Sequence, residues 1–233
     1  MIGVILAGGK GSRLGSLTKV TPKPMIKVGG KPILWHILKI LSSQGIKEFI
    51  ICLGYKGNII KNYISKEKFD FNVKCVSTGE NTLTARRIFL IKNEIKSERF
   101  LMTYGDGVSN INISKLLKLH IKKKKIATVT AVNPIPRFGS LRLKNDLVTG
   151  FSEKVVDENN LINGGFFILE RKIFNFVDLS KNVMWEQDPM IKLTKNKELS
   201  AYYHKGFWHC MDTERDYKHL NELYRKKAPW RIW

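Results

Sequence analysis

Acidic residues are scarce in this chain. Its 233 residues carry 20 Asp and Glu against 41 Lys and Arg, a formal net charge of +21. Cysteine is scarce too. Cys52, Cys75 and Cys210 are odd in number, scattered and without metal-ligand spacing. That argues against a disulfide framework or a cysteine-based metal site, and fits plain thiols in a reducing, cytoplasmic compartment. No apolar run approaches the roughly 18 residues of a membrane-spanning helix, so no membrane span is expected. The first apolar run is too short, and too soon interrupted by glycines, for a signal peptide. Neither an internal repeat nor a Pro- or Gly-rich linker breaks the chain. What it does have is 43% hydrophobic residues, enough for a substantial core in a single α/β domain.

The basic excess raises nucleic acid as a partner. Lysine is spread along a sequence rich in Ile, Asn and Lys, however, and no aromatic–basic array of the kind that stacks bases is present. The one dense run, Lys122-Lys123-Lys124-Lys125, lies between a helix-like and a strand-like segment and reads as a solvated helix end. Binding of nucleic acid is therefore not expected. A basic protein also suits a small polyanionic substrate.

Strand-like runs at 2–7, 49–53, 73–76, 100–104 and 127–132 alternate with helix-like segments. These helices cover 33–41 (opened by Pro32), 59–64, 86–95 and 113–121. The alternation predicts an α/β fold with a doubly wound, mostly parallel sheet. After Pro136 the rhythm changes to short β pieces at 141–143 and 148–151, a strand through 164–169, and helices at 190–193 and 217–224. The expectation is one domain, 1–233. A nucleotide-binding half spans 1–135, and an acceptor-binding half, 136–233, adds a small β-rich, substrate-covering lobe to the same sheet. Ligands of such sheets collect at the carboxyl ends of the strands.

The stretch Val4-Ile5-Leu6-Ala7-Gly8-Gly9-Lys10-Gly11-Ser12-Arg13-Leu14 ends one such strand, with Pro22-Lys23-Pro24-Met25 close behind. Successive N–H groups in a glycine turn form a concave anion site, and Arg13 can fork onto phosphate oxygens. No Gly-Lys-Ser/Thr closes it as a Walker A loop. Gly8, Gly9 and Gly11 have the wrong spacing for a dinucleotide fingerprint. A phosphate site is expected here. Asp106, between two glycines at a strand end, is a candidate Mg²⁺ ligand. Asp212 in Met-Asp-Thr reads either as a second ligand or as the N-cap of a helix beginning near Thr213. By itself, Trp185 reads as a packed aromatic.

These residues carry a resemblance. Leu6-Ala7-Gly8-Gly9-x-Gly11-Ser12-Arg13-Leu14 with Pro22-Lys23-Pro24-Met25 resembles the signature of the sugar-nucleotide pyrophosphorylases. The series continues through Gly29-Gly30-Lys31-Pro32-Ile33-Leu34-Trp35-His36, Tyr104-Gly105-Asp106-Gly107, Arg137-Phe138-Gly139 and Asn163-Gly164-Gly165-Phe166-Phe167. It runs on through Trp185-Glu186-Gln187-Asp188-Pro189-Met190 and Met211-Asp212-Thr213 and ends in Ala228-Pro229-Trp230. Together these resemble the glucose-1-phosphate cytidylyltransferase branch, which implies a Rossmann-like, GT-A-like nucleotidyltransferase fold.

The resemblance implies Mg²⁺-dependent transfer from CTP to a small phosphorylated acceptor, with release of pyrophosphate. Arg13, Lys23 and Asp106 match the family's catalytic positions, and Asp106 and Asp212 its metal pair. Leu6, Ala7, Gly8, Gly9, Gly11, Ser12, Arg13, Lys23, Gly79, Thr82 and Gly105 match nucleotide contacts, as does either Arg86 or Arg87. Glu153, Lys154, Asn163, Gly164 and Glu186 match acceptor contacts. Two alternatives stand beside it: a catalytically silent nucleotide-binding regulator, and a dTTP- or UTP-dependent sugar-1-phosphate nucleotidyltransferase.

One region departs from the family pattern. Ala85-Arg86 stands where the family has a Gly pair, and a segment of roughly 20 residues ahead of Thr78 is missing. In the family that segment helps build the oligomer, so the resemblance leaves a homo-oligomer open. Some shortened members, from capsule phosphoramidate pathways, take L-glutamine phosphate. A charge at Arg86 beside the nucleotide–acceptor junction would suit such a carboxylate-bearing acceptor. The acceptor is left open between glucose 1-phosphate and L-glutamine phosphate.

Overall fold

The computed structural model describes residues 1–134, 138–153 and 160–233. In chain order the strands are β1 (Ile2–Ala7), β2 (Lys27–Val28), β3 (Lys31–Pro32), β4 (Glu48–Leu53), β5 (Asn72–Ser77), β6 (Arg99–Tyr104) and β7 (Gly107–Ser109). They continue with β8 (Ala127–Val132), β9 (Ser140–Lys144), β10 (Leu147–Ser152), β11 (Ile162–Glu170), β12 (Leu199–Tyr203) and β13 (Trp208–Cys210). The helices are α1 (Leu17–Val20), α2 (Ile33–Ser42), α3 (Gly57–Lys66), α4 (Thr84–Leu90), α5 (Ile113–Lys123), α6 (Ile173–Phe176), α7 (Asp188–Lys195) and α8 (Glu214–Lys227).

Seven strands form one sheet in the order β12-β8-β11-β6-β1-β4-β5. β1 pairs in parallel with β4 and β6, β4 with β5, and β12 with β8; β11 runs antiparallel between β6 and β8. Alternation along β1 sends Val4 and Leu6 to one face and Ile5 and Ala7 to the other. Both faces are buried. Ile5 and Ala7 pack with residues of α2, α3, α5 and α8. Val4 and Leu6 pack with residues of α4, α6 and α7 and with Trp185. Each fully buried Ile or Leu contributes about 1.5–3 kcal/mol by leaving water. That burial is why β1 reads as an unbroken apolar run.

The expected doubly wound, mostly parallel sheet is thus present, with three differences in detail. The β-rich lobe reduces, among the described residues, to the hairpin β9–β10; β11 and β12 enter the main sheet instead. The helix expected over 86–95 spans only Thr84–Leu90. Ile91 and Ile95, fully buried, fill the core from the irregular segment after α4, so their helical spacing reflected burial rather than helix. The β7–β13 ladder and β12 were not expected. The lysine run is, as read, the exposed end of α5, where Lys124 takes a left-handed conformation that stops the helix. No helix among the described residues is long and apolar enough to cross a membrane.

Candidate active site

The parallel strands β6, β1 and β4 end side by side, and the segments that follow them floor a cleft. The Gly105 N–H donates to the Leu6 carbonyl at 3.0 Å, and the Tyr55 N–H to the Gly8 carbonyl at 3.0 Å. The reason for glycine at position 8 lies outside its own loop: a Cβ there would stand 2.2 Å from Cζ of Arg87. Arg87 rises from α4 and is buried. Its guanidinium donates to the carbonyls of Gly8 and Leu53, each at 3.0 Å, and to Thr78 Oγ1 at 2.5 Å. One side chain therefore ties together the segments leaving β1, β4 and β5. Gly11 needs its freedom for a different reason: φ is +65°, and a Cβ would meet that of Lys23 at 2.9 Å.

A cavity of about 530 Å³ opens above this floor. Leu6, Ala7, Gly9, Gly11, Ser12, Arg13 and Lys23 line one side, and Gly105 and Asp106 follow β6 into it. Asn163, Gly164, Glu186 and Asp212 line it as well. Residues separated by more than half the chain thus share one cleft.

Its charged end is a four-residue cluster. Lys23 Nζ lies 2.6 Å from Asp106 Oδ2 and 2.9 Å from Asp212 Oδ1. Arg13 pairs with the other oxygen of Asp212. Burial works against the Lys23 charge, but Asp106 and Asp212 outweigh it and hold its pKa above the usual lysine value. Asp212 is not the N-cap of α8. Thr213 is, with its hydroxyl accepting from Asp216 N–H and the Asp216 carboxylate accepting from Thr213 N–H in a capping box. That leaves the Asp212 carboxylate to face the cleft.

A second polar group in the wall is built around Glu186. The Tyr104 hydroxyl donates to Glu186 Oε1, and Thr84 Oγ1 donates to Oε2 at 3.4 Å. Burial, and then the Glu186 carboxylate, push the Tyr104 hydroxyl well above the usual tyrosine pKa. Thr84 Oγ1 also accepts from the Trp185 N–H at 2.6 Å, and Leu83 N–H donates to Asn182 at 2.7 Å. The start of α4 and the 182–186 segment are thereby stitched together. Trp185 itself is a buried packing residue, edge-on to Phe167. Asn163 accepts from the Gly165 N–H at 2.8 Å, and the Trp208 indole donates to the Gly164 carbonyl at 2.7 Å.

Several residues stand elsewhere than expected. Arg86 is on the outer face of α4; it donates to the Ser180 carbonyl at 2.7 Å and lies over the Phe89 ring. It is not in the wall of the cavity, so its placement lends no support to the charge argument for a carboxylate-bearing acceptor. Gly8 lies beneath the cavity wall, covered by Arg87. Gly79 and Thr82 are on the turn after β5, outside the wall, though Arg87 reaches the adjoining Glu80 carbonyl at 3.4 Å. Glu153 sits at the base of the β9–β10 hairpin against Gly139, not in the wall. Lys154 and Arg137 lie outside the described residues. Tyr104, Thr84 and Trp208 line the cavity without having been singled out. The one available signal was the position of Tyr104 next to Gly105-Asp106.

The nucleotidyl transferase family model matches residues 2–226. A glucose-1-phosphate cytidylyltransferase of Salmonella typhimurium is 42% identical over an alignment of 257 residues that covers all of both chains. A probable glucose-1-phosphate cytidylyltransferase of Bacillus subtilis is 39% identical over 255 residues, again covering both completely. Among solved structures, HddC from Yersinia pseudotuberculosis superposes with a TM-score of 0.76 at 27% identity, over 96% of this chain and 99% of that one. With a family model matching almost from end to end, and full-length relatives at about 40% identity, the chain belongs to the nucleotidyl transferase family and is a nucleotidyltransferase enzyme.

Proposed function

We propose that the enzyme is a cytidylyltransferase that joins CTP to glucose 1-phosphate. An acceptor phosphate oxygen attacks the α-phosphorus of CTP. The new P–O bond forms as the bond to the bridging oxygen of the β-phosphate breaks, and pyrophosphate leaves. Such transfer needs in-line positioning and charge neutralisation more than covalent help. The observation that carries the reading is the convergence of Arg13, Lys23, Asp106 and Asp212 at the carboxyl ends of β1 and β6. The full-length similarity to glucose-1-phosphate cytidylyltransferases supports CTP as donor and the sugar phosphate as acceptor.

In this reading the loop Gly8–Ser12 presents N–H groups to the triphosphate, and Arg13 and Lys23 neutralise it. Arg87 acts from below, holding that loop in place. Glu186, fixed by Tyr104, accepts hydroxyl hydrogens of the sugar, while Asn163 and Gly164 let the acceptor approach closely. Asp106 and Asp212 fit a divalent metal. Two carboxylates converge on one point already taken by a cation, and hard oxygen donors of this kind suit Mg²⁺. When bound, Mg²⁺ would neutralise charge developing on the phosphates.

A second reading, with L-glutamine phosphate as acceptor, draws on the shortness of the chain. The relative's alignment runs to 257 residues against the 233 here. With Arg86 turned outward, Glu186 lines the cavity with no cation paired to it among the described residues. That suits a neutral, hydroxyl-rich ring better than a second carboxylate. Pyrophosphate release should be measured with CTP, UTP, dTTP and ATP, each with glucose 1-phosphate and with L-glutamine phosphate. CTP with glucose 1-phosphate should give the highest kcat/KM, exceeding other donors at least about tenfold, or ~1.4 kcal/mol of discrimination. Equal use of UTP would refute the donor. A higher kcat/KM for L-glutamine phosphate would replace the acceptor by the second reading.

A further inference from the structure

We propose that Lys23 is an exchangeable occupant of the metal position, so that the divalent cation enters only together with the triphosphate. The inference rests on the assignment of Asp106 and Asp212 as metal ligands.

The geometry is that of a site already filled. The Lys23 ammonium touches Asp106 Oδ2 at 2.6 Å and Asp212 Oδ1 at 2.9 Å, and Arg13 takes the second oxygen of Asp212. Both Asp212 oxygens are therefore committed to protein cations. Mg²⁺ binds carboxylate oxygens at about 2.0–2.1 Å, so an ion shared by the same two oxygens would fall on the ammonium. Both cannot be there. The local charge is also closed, two carboxylates against one ammonium and one guanidinium. Lys23 is not a loosely waving surface lysine: its side chain is 12% exposed, and its backbone is held in the short helical turn Lys23–Met25 behind Pro22.

A bare divalent ion arriving alone would have to expel Lys23 from Asp106 and Asp212, the two carboxylates that hold its ammonium. Among the described residues, no third Asp, Glu, His or Cys completes a metal site with this pair. A triphosphate changes the balance. Its oxygens give Lys23 and Arg13 new partners and bring further ligands for the ion. The two events are then linked: the anion draws the protein cations off the carboxylates, and the metal takes the vacated oxygens. Coupling of this kind is reciprocal, so the nucleotide should also bind more tightly with the metal than without it.

The test uses Mn²⁺ as the probe, followed by the electron paramagnetic resonance of the free ion, on the full chain without nucleotide or acceptor. Wild type should bind Mn²⁺ weakly, and Lys23→Met, which keeps the volume and removes the charge, should bind it at least about tenfold more tightly. Adding Asp106→Asn to Lys23→Met should abolish the gain. The wild-type measurement stands even if Lys23→Met fails to fold. Tight, Asp106-dependent Mn²⁺ binding by nucleotide-free wild type would overturn the place-holder role and leave the metal ligands intact. A gain in Lys23→Met that survives Asp106→Asn would overturn the ligand assignment, and the inference with it.

Discussion

Replacing Gly8 with alanine should disturb the loop after β1 through Arg87 rather than through the loop itself. The new Cβ would stand 2.2 Å from Cζ of Arg87, and the guanidinium has no slack. It is buried and held by the carbonyls of Gly8 and Leu53 and by Thr78 Oγ1. Expelling it breaks three short charge-assisted hydrogen bonds and a longer one, at 3.4 Å, to the Glu80 carbonyl. The acceptors are not left bare, which limits the cost. The Gly8 carbonyl keeps the Tyr55 N–H, and the Leu53 carbonyl keeps both the Thr78 N–H and its hydroxyl. Returning a buried charge to water offsets a further part. The net loss is therefore that of one strong bond rather than three, about 1.5–3 kcal/mol. For a chain of this size that lowers the melting temperature by roughly 3–12 °C.

Arg87→Met removes the same bonds without the clash and should cost a similar amount. The decisive feature is the double variant. If Gly8→Ala acts by evicting Arg87, Gly8→Ala/Arg87→Met should cost little more than either alone, a coupling of at least about 1 kcal/mol by double-mutant cycle. All three proteins should bind CTP at least about tenfold more weakly, because the segments leaving β1, β4 and β5 lose their common tie. Additive destabilisation, or unchanged CTP affinity in Arg87→Met, would refute the reasoning.

Three further outcomes are expected. Tyr104→Phe removes the hydroxyl that orients Glu186 and should raise KM for the acceptor about tenfold, some ~1.4 kcal/mol, with KM for CTP unchanged; steady-state kinetics in both substrates decide it. Thr213→Ala deletes the N-cap of α8 and should cost about 1 kcal/mol, read as a lower midpoint in urea with an unchanged slope. His36, His120 and His204 are buried, and burial holds each pKa below the usual 6.5. The folded state then binds these protons less readily than the unfolded chain, so stability falls as pH drops below about 6.5. Melting should therefore come at clearly lower temperature at pH 5.5 than at pH 7.5. A flat profile over that range would contradict the assignment of neutral, buried imidazoles.

What the sequence made legible were the features written in local pattern. The apolar run into Gly8-Gly9 marked the end of β1, and Asp106 between two glycines marked the end of β6. Both stand where ligands of parallel sheets gather. The features that escaped depend on distant partners. Nothing local says that β11 inserts antiparallel between β6 and β8. Arg86 and Arg87 are adjacent letters, but one step along a helix turns a side chain by about 100°. That step sends one guanidinium to Gly8 and the other to Ser180. Tyr104 and Glu186 meet only because β6 and the 182–186 segment border the same cleft. By composition Asp212 read either as a metal ligand or as the N-cap of the helix near Thr213. The capping box with Asp216 decided for Thr213.

The central claim is attack of a sugar phosphate on the α-phosphorus of CTP in this cleft. Phosphorus-31 magnetic resonance of a mixture of enzyme, CTP, Mg²⁺ and glucose 1-phosphate tests it most directly. The account predicts loss of the three triphosphate signals and of the sugar monoester. Pyrophosphate and one new pair of coupled diphosphate-diester signals should replace them in equal amounts. Appearance of CDP with inorganic phosphate, or persistence of the sugar monoester while CTP is consumed, would contradict it.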